Sequence, residues 1–339
     1  MLAADGLGRP PALAATRHGS VEVLRSTFPS TSVTAWTSAL TGVEPGEHGL
    51  LGTVFRAPEA DLVVDAVEGR VYSWTDAADW HDHTIKPRTL FERAAAEGDG
   101  HGDSGGIRTV VVGREFDGVR GAWPQTLFRG ATRVHTSQDR LPVAAVSVAR
   151  SVISQVDDLL DRSPTPRLLL WVYVNVDEHI HRHGNDDELL DSVRLLDEAA
   201  HAWADAGWIV VLHADHGHTE VVHDPDARRL WASVDSPANC RLPSGGAGRV
   251  RWLYPRPDTA EHITATLRAE LGECAMVTTP AELVERGLLS ATAAASRRIG
   301  EIVAVATAPS FPIPRSDYRF EHGALTDDEV YIPFISWRR

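Results

Sequence analysis

The stretch RLLLWVYVNVDEHIHRHGNDDELLDSVRLLDEAAHAWADAGWIVVLHADHGH, Arg167 to His218, holds two apolar runs separated by a helical pattern. RLLLWVYVNV (Arg167–Val176) and WIVVLH (Trp208–His213) are apolar at nearly every position. Strands covered by helices on both faces read that way. Between them Leu189, Val193, Leu196 and Ala200 recur at helical spacing, and Gly207 supplies a stop. Strand, helix, strand predicts a right-handed parallel crossover. The expected fold is α/β: a three-layer α/β/α sandwich with a mostly parallel central sheet. Ligands of such sheets gather beyond the carboxyl ends of the strands. Both runs end there on acids and imidazoles, Asp177-Glu178-His179-Ile180-His181 and Asp215-His216-Gly217.

Further strands are expected at IRTVVVG (Ile107–Gly113) and RVRWLY (Arg249–Tyr254), the latter also among the apparent central strands. The chain reads as a single catalytic domain over residues 1–339. Residues 219–315 form a candidate small lobe over the site or complete the sheet. The glycine-rich EGDGHGDSGG (Glu97–Gly106) reads as a loop. It lacks the Lys-Ser/Thr ending of a phosphate-binding P-loop and precedes a strand, not a helix.

Composition narrows the function. With 33 basic and 47 acidic residues the net charge is −14, which disfavours a general nucleic-acid-binding surface. A nucleotide substrate remains compatible, because metal ions can supply local positive charge. Cys240 and Cys274 form no C-x-x-C pair, and two buried free thiols are expected. No run reaches the roughly 20 apolar residues of a membrane span. No signal-peptide pattern is seen at the N-terminus, so a cytoplasmic location is the expectation. The composition sets no oligomeric state.

Two more apolar segments end on the same residue types. MLAA is followed by Asp5-Gly6, and YRFEHGALTDDEVYIPFI carries His322-Gly323. One Asp-Gly after a strand is ordinarily a turn. Four Asp/His sites at one sheet edge are a different matter. Carboxylate and neutral imidazole are the donors that borderline divalent metals prefer. Three Asp and three His can supply two metals with three protein donors each. Two such ions about 4 Å apart form a clamp for in-line displacement at phosphorus.

The nucleophile is sought in FPSTSVTAWTSALTGVEPGEHGLLG (Phe28–Gly52). Pro29 and Ser30 read as a helix start, Val33, Trp36, Thr37 and Leu40 continue it, and Gly42 stops it. Thr31 and Ser32 then sit at a helix N-terminus, where free N–H groups favour an anion. The plainer reading is that Ser30, Thr31 and Ser32 merely cap the helix.

PSTSVTAWTSALTGVEPGEHGL resembles the nucleophile segment of the type I phosphodiesterase/nucleotide pyrophosphatase branch of the alkaline phosphatase superfamily. DEHIHRHG resembles its Asp-x-x-x-His metal motif, ADHGH its Ser-Asp-His-Gly motif, and HGALTDDEVYIPFI its closing His-Gly motif. The ordered set spans Asp5 to Ile335. The resemblance implies that Asp177, His181 and His322 bind one metal and Asp5, Asp215 and His216 another, usually zinc. It puts the nucleophile at Ser32, with Thr31 as the neighbouring register. His218, His213, His179 and His183 are expected beside the ligands or at the surface, with His218 the one to watch.

Three departures stand out. Serine replaces the family's threonine at position 32. Thr53 stands where nucleotide pyrophosphatases place a phosphate-binding asparagine. Only four residues precede Asp5, shorter than the family's first strand, so a start further upstream is an expectation. The implied activity is a two-metal phosphodiesterase forming a phosphoseryl intermediate on a small phosphodiester or nucleotide-like substrate. The alternatives are a phosphomonoesterase or phosphonate hydrolase on the same core, and a catalytically silent binding protein. Tyr72, Trp74 and Trp80 are candidates to stack on an aromatic leaving group, against a stronger expectation of plain packing.

Overall fold

The computed structural model describes residues 1–74, 86–97, 106–117, 122–134, 143–162, 167–290 and 292–338. Seven strands form the central sheet: β1 (Leu2–Asp5), β2 (Ser20–Arg25), β3 (Arg108–Val112), β4 (Thr132–Val134), β5 (Leu168–Asn175), β6 (Val210–Ala214) and β7 (Tyr331–Trp337). Their spatial order is β2-β7-β6-β1-β5-β3-β4. From β6 across to β4 every pairing is parallel, and β7 runs antiparallel to both β6 and β2. The two runs that announce the fold are parallel but not adjacent. The short β1 lies between them, pairing Ala3 with Tyr173 on one side and with His213 on the other.

Strand residues alternate between two faces. Leu2, Ala4, Val172, Val174 and Leu212 face one core; Ala3, Trp171 and Tyr173 face the other. Helices α1 (Ser32–Thr41), α2 (Ala145–Asp161), α3 (Asp177–His183) and α4 (Asp187–Asp205) matter most here. α4 is the expected crossover helix. Its Leu189, Val193, Leu196 and Ala200 are buried in the first core with Val148 and Val152 of α2. The Asp186 side chain accepts a hydrogen bond from Leu189 N and starts α4. On the opposite face α1 buries Val33, Trp36 and Leu40.

That second core continues into a second seven-stranded sheet, antiparallel throughout. Its strands are Ala275–Thr278, Ile302–Ala306, Val250–Pro255, Cys240–Ala247, Val54–Ala57, Leu62–Asp65 and Val71–Tyr72, in that spatial order. RVRWLY therefore belongs here and not to the central sheet. Val250, Trp252, Leu253 and Tyr254 are fully buried, so the run reads like a central strand although its sheet is a separate one. Residues 219–315 supply four of these strands, and residues 54–72 supply the other three. Cys240 and Cys274 are buried free thiols. Among the described residues no helix is long and apolar enough to cross a membrane. Trp80 and most of Glu97–Gly106 lie outside the described residues.

Candidate metal centre

The carboxyl edge of the central sheet collects the residues singled out by sequence. Asp5 ends β1, and Asp215 and His216 follow β6 directly. α3 begins two residues after β5, so Asp177 and His181 share one helix face at i, i+4. A two-stranded ribbon pairs Thr219–Glu220 with Phe320–Glu321 and brings His322 beside the loop after β6. Close packing needs a small residue there: a Cβ on Gly217 would lie 2.1 Å from the Asp328 carbonyl oxygen. Asp177 and the imidazoles of His181, His218 and His322 form one group of donor atoms, and Asp5, Asp215 and His216 form a second. Within each group the donor atoms lie no more than 4.8 Å apart.

Each imidazole in these groups is held the same way. Nδ1 of His181 lies 2.7 Å from the Phe320 carbonyl, and Nδ1 of His322 lies 2.8 Å from that of Ser30. Nδ1 of His216 faces Gly217 O at 3.2 Å, and Nδ1 of His218 faces Gly6 O at 3.2 Å. A carbonyl only accepts, so Nδ1 carries a proton in every case and Nε2 is the nitrogen turned inward. Metal-binding histidines are ordinarily oriented by such a bond.

The carboxylates have no Lys or Arg partner among the described residues. Asp177 Oδ1, Asp215 Oδ2 and His218 Nε2 are buried with no hydrogen-bond partner among the described residues. Burial, then the charges of Asp215 and Asp177, push Asp5 well above the usual carboxylate range. Burial also works against ionising Asp177, but His181 beside it outweighs this and holds it well below that range. Burial pulls His181 down, yet Asp177 and Glu321 push it up to about 9. Burial lowers His322 well below the usual histidine value, reinforced by the neighbouring histidines. Crowded buried acids and inward-facing imidazoles are a donor set that fits divalent cations.

Ser32 is the first residue of α1. Its Oγ lies 3.1 Å from Asp5 Oδ1 and 3.2 Å from His216 Nε2. Thr31, at the N-cap, makes no capping bond; its hydroxyl faces that of Thr53 at 3.4 Å. Ser30 turns away to the Ala324 carbonyl. None of the three therefore serves as a simple cap, and Ser32 is the hydroxyl beside the second donor group. Tyr173 donates to Asp5 Oδ2 from β5.

Ser32, Asp177, His181 and His322 open on a cleft of roughly 740 Å³ whose far wall is the second sheet. Tyr72 lines it with Arg70, Arg251, Arg315 and Tyr318. Of the remaining histidines, His179 bonds Asp186 at 2.9 Å and His213 packs edge-on against Trp36, both away from the donor groups. The site residue that sequence reasoning left out is His218. Its signal was present: two residues beyond His216, it returns to the same edge.

A mostly parallel α/β sheet with such acidic and imidazole groups at its carboxyl edge defines an alkaline phosphatase-like hydrolase fold. The chain belongs to the type I phosphodiesterase / nucleotide pyrophosphatase family, whose profile matches residues 8–322. It is thus an enzyme of the phosphoric ester hydrolase class. No curated protein is significantly similar in sequence. Among solved structures, murine ectonucleotide pyrophosphatase / phosphodiesterase 5 is similar with a TM-score of 0.67 at 13% identity, covering 100% of this chain and 88% of its own. An inactive variant of that protein is known in complex with AMP. Phosphonoacetate hydrolase from Sinorhizobium meliloti 1021, in complex with phosphonoformate, is similar with a TM-score of 0.65 at 18% identity, covering 99% of this chain and 89% of its own.

Proposed function

We propose that the chain is a metal-dependent phosphodiesterase of the nucleotide-pyrophosphatase kind, with Ser32 as nucleophile and a small phosphodiester or nucleotide-like substrate. The observation that carries this reading is the place of the Ser32 hydroxyl. It stands at a helix N-terminus, within hydrogen-bond reach of Asp5 and His216, facing the cleft. Asp177, His181 and His322 would hold one divalent ion, and Asp5, Asp215 and His216 a second, both zinc by the family resemblance. Such ions lower the pKa of a nearby hydroxyl and neutralise charge building on phosphoryl oxygens.

The chain's own residues supply the rest. The free N–H groups at the start of α1 favour the phosphoryl group beside Ser32. The Ser32 hydroxyl donates to Asp5 Oδ1, which orients Oγ, and its proton would pass to solvent water once a nearby ion has lowered the hydroxyl's pKa. Oγ attacks phosphorus in line, forming a Ser–O–P bond as the bond to the leaving oxygen breaks. A water then attacks the phosphoseryl group, the P–Oγ bond breaks and the hydroxyl is restored. Thr31 and Thr53 offer hydroxyl donors on the cleft wall in place of the family asparagine.

One observation favours the phosphonate-hydrolase alternative. Arg70, Arg251 and Arg315 line the cleft, which suits a substrate carrying a second anionic group. The deciding experiment compares zinc-loaded protein on bis(p-nitrophenyl) phosphate, p-nitrophenyl phosphate and phosphonoacetate. Diester preference, lost with a chelator, is the expected result. Ser32→Ala should lower that rate by ~10³-fold or more at matched metal content. Equal activity in this variant removes Ser32 from the mechanism, and preference for phosphonoacetate moves the enzyme to the alternative.

A further inference from the structure

His218 is buried among the donor groups, and the family resemblance gives it no role. Its Nδ1 faces the Gly6 carbonyl at 3.2 Å, so that nitrogen holds the ring proton. Nε2 therefore carries a lone pair. It lies 2.9 Å from Asp177 Oδ1, yet neither atom has a hydrogen-bond partner among the described residues. Two buried polar atoms this close and without partners are costly, unless a cation lies where both can reach it. Nε2 is also gathered with Nε2 of His181 and His322, and the His218 ring stands edge-on to both of theirs.

We propose that His218 is a fourth protein ligand, so that Asp177, His181, His218 and His322 together bind one divalent ion. This rests on the reading of the cluster as a metal centre. Four protein donors complete a tetrahedral set for zinc, whereas a site that also takes substrate keeps a position open. The two sites then differ in kind. The His218 site would be nitrogen-rich and hold its ion the more tightly. The Asp5, Asp215 and His216 site, beside Ser32, would offer three protein donors.

The test is metal binding, measured apart from activity. Wild type, His218→Leu and His218→Gln are prepared as full chains, with far-UV circular dichroism confirming their folds. Each is loaded with Zn²⁺ and dialysed against graded chelator, and bound metal is counted. Each is also loaded with Co²⁺ and its visible spectrum recorded. Wild type should lose its two ions in two separated steps. Both variants should lose the later step, with at least about tenfold weaker binding there, and should show an altered Co²⁺ spectrum. Glutamine can still bond Gly6 and Asp177, so it separates ligation from orientation. Wild-type affinity in His218→Gln overturns the proposal in favour of a hydrogen-bonding role. Unchanged affinity and spectrum in both variants overturn it outright. In both cases two ions in the wild type leave the metal-centre reading standing. A wild type that binds no Zn²⁺ overturns both.

Discussion

Arg249→Met should unfold the site from behind. Arg249 and Glu329 are fully buried and paired, with Arg249 Nε 3.1 Å from Glu329 Oε1. The same carboxylate accepts from Ala324 N at 2.9 Å and Thr326 N at 3.1 Å, while Arg249 N bonds the His322 carbonyl at 2.8 Å. The pair thus fixes the loop that delivers His322. Methionine fills much of the arginine's volume but leaves Glu329 without a cation. Breaking a buried pair from one side costs about 3–5 kcal/mol. The hydrogen bonds Glu329 keeps place the expectation near the lower end, about 3 kcal/mol. Urea unfolding of metal-free protein, followed by circular dichroism and tryptophan fluorescence, measures it. The double variant Arg249→Met, Glu329→Gln should recover part of the loss, since no uncompensated charge remains. A loss below about 1 kcal/mol with unchanged denaturant slope would refute the claim that the pair organises this loop.

Two other perturbations read different layers of the same construction. His48 Nδ1 accepts from Leu50 N at 3.1 Å and Nε2 faces Ser38 Oγ at 3.0 Å, so the ring must stay neutral. Burial, then Arg298, lowers its pKa to about 4 from the usual histidine value of about 6.5. The unfolded chain therefore binds a proton that the folded one refuses, and this contribution is full above pH 6.5. It is lost as pH falls toward 4, up to about 3 kcal/mol. The stability difference between wild type and His48→Asn should shrink over that window, and a pH-independent difference counts against the assignment. Gly217→Ala puts a methyl 2.1 Å from the Asp328 carbonyl oxygen, so backbone must move next to His216. A loss of about 2 kcal/mol or more in urea unfolding is expected, together with weaker binding of one metal ion. Wild-type stability and metal content would show that the loop yields freely.

The fold was legible where pattern and burial coincide. Arg167–Val176, the Leu189 to Ala200 stripe and Trp208–His213 became β5, α4 and β6, because fully covered strands and an amphipathic helix leave unambiguous periods. RVRWLY misled for a physical reason. A run buried on both faces looks alike whether helices or a second sheet cover it, and here the core around Trp36 continues into that second sheet. The second sheet's short strands, such as Val54–Ala57 and Leu62–Asp65, offer too few residues for a period to show. At the site, Asp177 and His181 stood out because they follow an apolar run and match the family's Asp-x-x-x-His motif. His218 did not, because its side chain joins the other donor group from His216, two residues earlier. That separation depends on how the chain turns at Gly217 against Asp328, which no local pattern encodes.

The arrangement also ties the imidazoles of both groups to the backbone. The Nδ1 protons are fixed by carbonyls of Phe320, Ser30, Gly217 and Gly6, which lie in four separate segments. Gly6 joins the two donor groups. Its N–H bonds Asp215 Oδ1 at 2.9 Å, while its carbonyl holds His218. Its φ of +78° suits glycine, and a Cβ there would lie 2.6 Å from His218 Cε1. Aspartate followed by glycine is therefore not just a turn after β1. The carboxylate serves one group, and the next peptide, free of a side chain, orients the imidazole that serves the other. Changes that move these carbonyls will alter how the site binds a cation even when every donor residue is intact.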